Sequence, residues 1–539
     1  MIGSDAIIKC LELEGVSAVF GYPGVAICPF FNSMLSSQIQ PILVRTEQNA
    51  AHAASGMARL TGKACVCAVT SGPGATNVIT GIATAHADSI PLICITGQVS
   101  SDLLGRDVFQ EADITGATES FVKYSYLVRN VEDIPRIFKE AFHIANSGRK
   151  GPVLIDIPID VQQATIKKFD YPEEISMRTY KPTVKGNVNQ LKKVIKELQT
   201  AKKPIICAGG GVLLSEARDE LLAFAEQHKI PVVTTMMGIS AIPTEHPLYY
   251  GMVGSNGKPY ANKAMNDSDL LIMVGARVAD RAVSQPGLIT KEKVLVHIDI
   301  DPAEIGKNAG PTIPLVGDIK HIFEALKEYD CNCNHNEWLA SLQTLKEQMK
   351  SSRVANPDFV DPAAFIQMLS KKMQPDATYV ADVGQNQIWS CSYHIVNKGR
   401  FLTSGGMGTM GYSIPAAIGA KFANLDKQVV AVCGDGSFQM SMMELATIKQ
   451  HDIPVKIVVF KNTVLGMVRE YQHYAYRDNY TYIDLSGSPQ IEQLAKAYDI
   501  PFLRLINMDT ASETIDTFLQ DDSSMILECL IDPMDLVKY

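Results

Sequence analysis

The stretch Gln428-Val-Val-Ala-Val-Cys-Gly-Asp-Gly-Ser437 decides the fold class of this 539-residue chain. Its first six residues, five of them apolar, predict a buried strand, and a Gly-Asp-Gly-Ser turn follows at once. A helical pattern over 438–450 and a second strand-like run over 455–460 come next. We expect one right-handed β-α-β unit, whose two strands run in the same direction. Asp435 and Asn462 then follow the carboxyl ends of parallel strands, where open α/β sheets bind ligands.

These two positions carry the oxygen ligands that a hard cation prefers. Mg²⁺ is bound by carboxylate and amide oxygens and keeps a diphosphate as co-ligand. The glycines let the backbone approach phosphates, and amides at the start of a helix favour negative charge. A lone Gly-Asp-Gly is weak evidence, because most such tripeptides are turns. With the helix, the strand and Asn462 at this spacing, the region resembles the thiamine-diphosphate-dependent enzymes, and Asp435 and Asn462 are predicted metal ligands.

The resemblance assigns further residues of this region to the cofactor. The backbone carbonyl of Val464 completes the metal ligands, although Lys461 stands where the family has a second Asn. Asn386 replaces a usual His in Val383-Gly-Gln-Asn386 and can still donate a hydrogen bond to the diphosphate. Gly408 offers its carbonyl to the cofactor's amino group, and Met410 bends the cofactor, although a Met is more often plain core. The predicted contacts are Val383, Gly384, Gln385, Asn386, Gly408, Met410, Gly434, Gly436, Ser437 and Met467.

Glu47 is the candidate acid–base group. It lies between a predicted strand, 41–47, and a helix rich in small residues, 49–60, where a carboxylate is normally a charge favoured by the helix dipole. Thiamine chemistry needs a buried carboxylate on the pyrimidine nitrogen to drive a proton shift. By resemblance, Glu47-Gln-Asn-Ala-Ala-His52 supplies that carboxylate. Its presence argues against the related glyoxylate carboligases, which lack it.

Segments along the whole chain resemble acetohydroxyacid (acetolactate) synthase. They include Phe20-Gly-Tyr-Pro-Gly24, Thr70-Ser-Gly-Pro-Gly-Ala-Thr-Asn77 and Phe109-Gln-Glu-Ala-Asp113. The resemblance places Gln110 and Lys123 at the active-site entrance, although each alone would be a solvated side chain. It implies that pyruvate is decarboxylated and that the hydroxyethyl unit joins a second 2-keto acid. The product is 2-acetolactate, or 2-aceto-2-hydroxybutyrate, in branched-chain amino acid biosynthesis.

The middle of the chain resembles the FAD segments of that family. A strand-like run at 205–207 followed by Ala208-Gly-Gly-Gly211 is typical of a dinucleotide crevice, but it is weak evidence alone. Arg281 is assigned to the carboxylate of the second keto acid, which suits a guanidinium fork. The alternative to FAD binding is that the arginines and aspartates of these segments form structural ion pairs on a fold without flavin, as in FAD-free acetolactate synthases. The predicted contacts of a non-redox FAD are Arg149, Gly209, Gly210, Arg277, Asp280, Asp299, Ile300, Ile305 and Asp318.

Strand-like runs alternate with helical patterns along the whole chain, which is typical of parallel α/β layers. The length of 539 residues supports two to four domains. We predict three doubly wound parallel-sheet domains: pyrimidine-binding at 1–165, FAD-binding-like at 186–330, and diphosphate- and Mg²⁺-binding at 360–539. Polar stretches at about 167–186 and 327–361 are predicted linkers.

Composition indicates an ordinary globular protein with 46% hydrophobic and 20% charged residues. A net charge of −9 without a basic block argues against a nucleic-acid partner. No run approaches the roughly 18 apolar residues of a membrane span. The first 15 residues carry several charges and lack the apolar stretch of a signal peptide, so a cytoplasmic location is expected.

The eleven cysteines are predicted to be reduced core residues, because most lie in apolar segments. Cys331-Asn-Cys-Asn-His335 could hold a metal. Its spacing fits no common zinc pattern, however, and we interpret this polar segment as a solvated linker.

Three departures from the family pattern put substrate preference in doubt but leave cofactor binding intact. Val25 stands where the family has a glycine near the reacting carbonyl. Tyr471 replaces a Trp that favours 2-ketobutyrate as acceptor. The sequence ends at Tyr539 without the family's usual tail over the active site.

The family's active site lies between two chains, so the resemblance implies a homodimer or homotetramer. A regulatory small subunit is a further candidate partner. Two alternatives stay open: a thiamine enzyme with another outcome, such as a decarboxylase or acetyltransferase, and a divergent non-catalytic paralogue. Retention of Glu47, Asp435, Asn462 and Arg281 argues against the paralogue.

Overall fold

The computed structural model describes residues 1–283, 289–290, 293–310, 312–329, 331, 333–349 and 354–537. Within them lie three six-stranded sheets, one in each part of the chain, and every strand pair is parallel. Strands of parallel sheets are covered on both faces and are therefore apolar along their length. The three-domain parallel α/β fold class is confirmed.

The first sheet has the strand order β2-β1-β3-β4-β6-β5. Its strands are β1 Ala18–Tyr22, β2 Gln40–Leu43, β3 Cys65–Val69, β4 Leu92–Gln98, β5 Tyr124–Leu127 and β6 Pro152–Pro158. Its helices are α1 Gly3–Leu13, α2 Cys28–Met34, α3 Glu47–Thr61, α4 Pro73–Asn77, α5 Ile79–Ala87, α6 Ile114–Thr118, α7 Ile134–Asn146 and α8 Ile159–Gln163.

The central sheet has the order β12-β11-β10-β7-β8-β9. Numbered from its own first strand this is 3-2-1-4-5-6, the order of dinucleotide-binding sheets. Its strands are β7 Pro204–Ala208, β8 Val232–Thr234, β9 Tyr249–Met252, β10 Leu270–Val274, β11 Val294–Asp299 and β12 Ile313–Val316. Its helices are α9 Val188–Thr200, α10 Gly210–Leu214, α11 Arg218–His228, α12 Pro259–Asp267, α13 Ile319–Leu326 and α14 Asn336–Gln348.

The third sheet, β14-β13-β15-β16-β18-β17, repeats the topology of the first. Its strands are β13 Thr378–Ala381, β14 Arg400–Thr403, β15 Val429–Gly434, β16 Lys456–Lys461, β17 Phe502–Leu505 and β18 Met525–Leu530. Its helices are α15 Pro362–Lys372, α16 Gln385–Tyr393, α17 Ser413–Ala423, α18 Asp435–Gln439, α19 Leu445–Gln450, α20 Gly466–Tyr476, α21 Ile491–Ala497 and α22 Ala511–Leu519. Short 3-10 turns lie at Val25–Ile27, Glu119–Phe121, Val131–Asp133, Met236–Gly238 and Met442–Glu444.

The small residues of α3 have a packing reason. This helix lies directly on α17 of the third unit, and a Cβ on Gly419 would collide with the carbonyl of Ala53. A Cβ on Gly56 would likewise collide with the carbonyl of Ala416. The first and third units of one chain therefore share a continuous core.

Two local predictions differ from the structure. The strand predicted to end at Glu47 ends at Leu43, and Glu47 instead begins α3. Beyond the strand, Arg45 N donates to the Glu444 carboxylate at 2.9 Å, so this N–H is satisfied by a side chain of the third unit. The single helix predicted over 438–450 is broken into α18, the turn Met442–Glu444 and α19. This break brings the Glu444 carboxylate against Asn49 Nδ2, at 2.9 Å.

The interpretation of 331–335 as a solvated linker is wrong. Cys331 is 8% exposed and His335 is 3% exposed. Cys331 belongs to the apolar cluster between α9, α11 and α13, and Cys333 packs against that cluster. None of the eleven cysteines, all of which lie in the described segments, forms a disulfide, and most are buried, as predicted.

No helix of the described segments combines the length and the apolar character needed to cross a bilayer.

Candidate active site

The strand order of the third sheet opens a crevice between β13 and β15. The chain leaves β13 to form β14 on one side and returns as β15 on the other, and ligands bind at such a switch point. A cavity of about 70 Å³ lies here, which we call the diphosphate cavity. It is lined by most residues assigned to diphosphate and metal: Val383, Gly384, Gln385, Asn386, Met410, Gly434, Asp435, Gly436, Ser437, Asn462, Val464 and Met467.

Asp435 supplies the carboxylate of this cavity. It is the first residue of α18 and is 3% exposed. Its Oδ2 accepts from Thr463 N at 2.7 Å, and its Oδ1 accepts from Gly436 N at 3.0 Å. Burial raises the pKa of the Asp435 carboxyl, and these backbone hydrogen bonds oppose the rise. A buried carboxylate is costly unless it is paired, and a hard cation would supply the missing charge.

The turn after β16 presents Asn462 and Val464 beside this carboxylate. Asn462 is 7% exposed, and its Oδ1 accepts from Val464 N at 3.1 Å. Thr463 has a φ of +58°, a left-handed conformation that a β-branched residue rarely adopts. The hydrogen bond from Thr463 N to Asp435 helps to hold this turn, so the two strand ends are fixed to each other.

Two residues that depart from the family pattern have side chains bonded to other groups of the protein. Lys461 forms an ion pair with Glu528 of the adjacent β18, with Nζ and Oε1 3.0 Å apart. Asn386 donates its amide to the carbonyls of Asp382 and Val432, at 2.8 and 3.3 Å. Its carboxamide oxygen faces Gly384. The predicted donation from Asn386 to a diphosphate therefore requires its amide to rotate.

Two aspartates for which the sequence predicts no role hold the glycine-rich segment 404–411. Asp382 is fully buried and accepts from Gly411 N at 2.9 Å, and this burial raises its pKa. Asp88 of the first unit accepts from Gly406 N at 2.7 Å. Between these two anchors Gly408 has a φ of +69°, which favours glycine. Only the place of Asp382, directly before Val383, hinted at this role.

The C-terminal segment packs beside the same cavity. Gln385 Nε2 donates to Glu470 Oε2 at 2.9 Å and to the carbonyl of Asp535 at 3.0 Å. Val537 N donates to the same Glu470 oxygen at 2.9 Å. Ile531 lines the cavity. Residues as far as Val537 therefore fix the side chain of Gln385 in the cavity; 538 and 539 lie outside the described residues.

Glu47 does not line the diphosphate cavity. As the first residue of α3 it lies at the carboxyl end of the first sheet, where it is half-buried. Its Oε2 accepts from Nδ2 of the exposed Asn77 at 3.0 Å. The carboxylate is therefore accessible to solvent in a single chain, and another surface must cover it to give a buried acid–base group.

The same end of the first sheet exposes apolar side chains. Val25 and Phe109 are 77% and 87% exposed. Gln110 adopts a φ of +60° and lies against Gly72, where a Cβ would come within 2.9 Å of it.

Tyr471, on α20, is 64% exposed, and its ring faces Tyr476 with centroids 5.9 Å apart. Neither Val25 nor Tyr471 lines a described cavity of the chain.

A larger cavity of about 520 Å³ lies where the three units meet, and we call it the central cavity. It brings together Arg281, Gly408 and Met467 from the predicted reaction and thiamine sites. Six predicted flavin contacts line it as well: Arg149, Gly210, Arg277, Asp299, Ile300 and Asp318. Gly209, Asp280 and Ile305 do not line it.

Glycines bring two backbone segments together at this cavity. A Cβ on Gly211 would lie 2.6 Å from the Cα of Gly275, and one on Gly209 would collide with the Gly275 carbonyl. These residues follow β7 and β10, the two strands at the switch point of the central sheet. Glycine is therefore required where a dinucleotide sheet has its ligand crevice.

Several predicted flavin contacts already have protein partners. Arg149 pairs with Asp301 and Glu304 at 3.3 and 2.9 Å. Asp318 Oδ1 accepts from Lys320 N at 3.0 Å and caps α13. Asp299 accepts from the backbone at 2.9 Å, and burial raises its pKa to about 6. These contacts agree with the alternative that the charged residues form structural ion pairs, and they do not by themselves require a flavin.

Lys123 lies apart from the central cavity. Its ammonium donates to the carbonyl of Ser147 at 2.8 Å and to the hydroxyl of Tyr180 at 2.7 Å. Burial lowers the pKa of Lys123 to about 7. It lines a separate cavity of about 420 Å³ that also contains Arg149. Its place at the entrance of an active site stays a prediction.

Arg281 is at the open side of the central cavity. Its side chain is 84% exposed, and its Nε lies 3.9 Å from the carboxylate of Asp280. The guanidinium is thus accessible to a carboxylate in the cavity.

Comparison with known proteins agrees with this geometry. The N-terminal TPP-binding domain of thiamine pyrophosphate enzymes matches residues 1–117. The central domain of these enzymes matches 191–326, and their C-terminal TPP-binding domain matches 382–529. The three matches fall on the three sheets, and the third contains the diphosphate cavity. The fold and the site therefore define a thiamine pyrophosphate enzyme.

Relatives place the chain more closely. It is 42% identical to a probable acetolactate synthase large subunit of Methanocaldococcus jannaschii, over 99% of this chain and 93% of the relative. It is 40% identical to the acetolactate synthase large subunit of Lactococcus lactis, over 98% and 92% of the two chains. For the large subunit of Corynebacterium glutamicum the identity is 44%, over 89% and 78%. The chain belongs to the acetolactate synthase large-subunit family.

Proposed function

We propose that this protein is a thiamine-diphosphate-dependent acetolactate synthase. It converts two molecules of pyruvate into 2-acetolactate and carbon dioxide, as a step of branched-chain amino acid biosynthesis. The observation that supports this most directly is the pair of buried side chains with oxygen atoms, Asp435 and Asn462, at the switch point of the third sheet. The family relationship selects this reaction among those of thiamine enzymes.

The residues of the chain fit the cofactor at several points. Thiamine diphosphate supplies, when bound, the nucleophilic carbon that makes 2-keto acid decarboxylation possible. Asp435, Asn462 and the carbonyl of Val464 would hold Mg²⁺, which would neutralise charge on the diphosphate. Met410 lines the diphosphate cavity with an apolar side chain, and Gly408 lines the central cavity.

Two charged residues act on protons and substrate. Glu47 holds a proton at the pyrimidine nitrogen and passes it on during turnover. Arg281 binds the carboxylate of the second keto acid through its planar fork and orients the acceptor carbonyl. Both side chains are accessible, and neither is used up in a buried ion pair.

Product analysis tests the proposal. Purified protein with pyruvate, thiamine diphosphate, Mg²⁺ and FAD is expected to form acetolactate as the main product. Acetaldehyde as the main product would instead indicate a decarboxylase, and acetyl transfer to another acceptor an acetyltransferase. No turnover with intact cofactor binding would favour the non-catalytic paralogue.

We also propose FAD as a second, non-redox cofactor in the central cavity. The strand order of the central sheet, its glycine contacts and a volume of about 520 Å³ support this. An absorbance spectrum after incubation with FAD and desalting should show bound flavin. A colourless protein that is fully active would assign this chain to the FAD-free enzymes.

The chain is proposed to act as a homodimer, or as a homotetramer built from such dimers. Two observations support this assembly. Glu47 does not line the diphosphate cavity, and Val25 and Phe109 are exposed at the same end of the first sheet as Glu47. A second chain would cover this face and bring its own cavity to Glu47. Because the relatives are large subunits, a regulatory small subunit is a further proposed partner. Co-purification and light scattering test both proposals.

A further inference from the structure

The thiol-rich segment after α13 has no part in the proposed reaction. Cys331, Cys333 and His335 lie outside the three described cavities. His335 is buried, and its Nδ1 lies 2.8 Å from the carbonyl of His228, the last residue of α11. The segment is therefore held against the end of a helix that lies 103 residues earlier in the chain than Cys331.

His228 itself points towards the two cysteines. It is 1% exposed, and its ring packs edge-on against Phe224 with centroids 4.7 Å apart. One ring nitrogen of His228 and the sulfur atoms of Cys331 and Cys333 all lie within 4.8 Å of one another. Two sulfurs and an imidazole nitrogen at this spacing form a compact set of soft ligands.

We propose that His228, Cys331 and Cys333 bind a zinc ion. Bond lengths of about 2.3 Å to sulfur and about 2.0 Å to nitrogen place ligand atoms roughly 3.5–4 Å apart. Because the three atoms already lie within 4.8 Å of one another, the site closes with a contraction of no more than about 1 Å. Two thiolates balance the charge of Zn²⁺, and a neutral ion–ligand group suits a buried position. The chain supplies three of the four ligands that zinc usually takes.

Binding is coupled to the loss of two protons. The Cys333 sulfur lies 3.5 Å from the carbonyl of Leu198 and 3.3 Å from that of Cys331, contacts that suit a protonated thiol. On binding, both S–H protons leave to solvent, and the thiolates coordinate the metal. Affinity therefore rises with pH.

The role of this ion is structural. It ties the end of α11 to the segment that leads into α14, at a distance from the proposed chemistry. We expect zinc to stabilise the central unit without changing the acetolactate rate at low temperature. Removing it should lower the Tm by a few degrees.

Metal analysis of the full-length holoenzyme tests the site. The protein is kept in a non-thiol reductant, treated with a chelator, reloaded with Zn²⁺ and desalted. About one zinc per chain is expected in the parent protein and in Cys28→Ser, which removes an exposed thiol elsewhere. The double variant Cys331→Ser/Cys333→Ser should lose that zinc.

Cobalt provides a second measurement, which can be made on the parent protein and a single variant even if the double variant folds poorly. Co²⁺ added to the parent protein should give a thiolate-to-metal charge-transfer band, which Mg²⁺ sites made of oxygen ligands cannot produce. Cys333→Ser alone, at the half-exposed position, should weaken that band. Absence of the band in the parent protein, or equal zinc content in parent and double variant, would overturn the proposal.

Discussion

The first and third units share one sheet topology, but their parts of the proposed active site differ in burial. In the third unit Asp435 is 3% exposed and takes backbone hydrogen bonds from two sides. In the first unit Glu47 is half-buried and accepts from the exposed Asn77. The surroundings of Asp435 are complete within a single chain, whereas Glu47 in the first unit faces solvent.

The difference shows what each half has to do. A metal and diphosphate site must be rigid, because its ligands have to be in place before the cofactor binds. A proton-relay carboxylate needs burial against the cofactor, and the first unit cannot provide that alone. We infer that the second chain completes the site.

Asp435→Ala should have the largest effect. It removes the carboxylate from the proposed metal site, so Mg²⁺-dependent binding of thiamine diphosphate should be lost. Calorimetric titration measures it, and Asp426→Ala, an exposed carboxylate of the same unit, is the control. Unchanged affinity in Asp435→Ala would show that the diphosphate cavity is misassigned.

Glu47→Gln should keep cofactor binding but lower kcat by roughly a hundredfold or more, as is typical for an acid–base group. The amide can hydrogen-bond the pyrimidine but cannot drive the proton shift. Titration and steady-state kinetics on the same preparation separate the two effects. Near-parental turnover would remove Glu47 from the mechanism.

A mixture of the two inactive variants tests the division between chains. In a mixed dimer, one site receives intact Glu47 from the Asp435→Ala chain and intact Asp435 from the Glu47→Gln chain. Random assembly of equal amounts should restore about a quarter of the parent activity, since half the dimers are mixed and each has one intact site. If both halves came from one chain, co-expression would restore nothing.

Glu444→Gln probes the contact that joins the two units within one chain. The carboxylate accepts from Arg45 N and Asn49 Nδ2, both at 2.9 Å, and from Thr447 Oγ1 at 2.6 Å. An amide would present N–H groups to some of these donors, at a cost of about 1–3 kcal/mol in the free energy of unfolding. Thermal unfolding should show a lower Tm than in Glu513→Gln, an exposed control.

Tyr471→Trp should have the smallest effect, a shift of a few fold in product ratio. The family's Trp packs on the extra methyl of 2-ketobutyrate, and one methylene in an apolar pocket is worth about 1–3 kcal/mol. With equal pyruvate and 2-ketobutyrate, the parent should form mainly acetolactate, and the variant more acetohydroxybutyrate. Because Tyr471 is 64% exposed in one chain, an unchanged ratio would indicate that it only covers a helix surface.

The sequence by itself determined the fold class and the meeting of Asp435 and Asn462 at one cavity of the third unit. Asp435 and Asn462 are the ends of one β-α-β unit, so their meeting follows from local chain geometry. The α/β alternation likewise follows from hydrophobic patterning over short windows. Both features depend on residues that are near one another along the chain.

Only the tertiary structure decided contacts between distant segments. Glu444 reaches Asn49, Asp88 reaches Gly406, and His228 reaches Cys331, although each pair is separated by about 100 residues or more. The sequence could not predict the direction of the Asn386 amide either, nor the pairing of Lys461 with Glu528. Such contacts depend on how sheets and helices pack, because a buried polar group takes whichever partner the packing brings within hydrogen-bond distance.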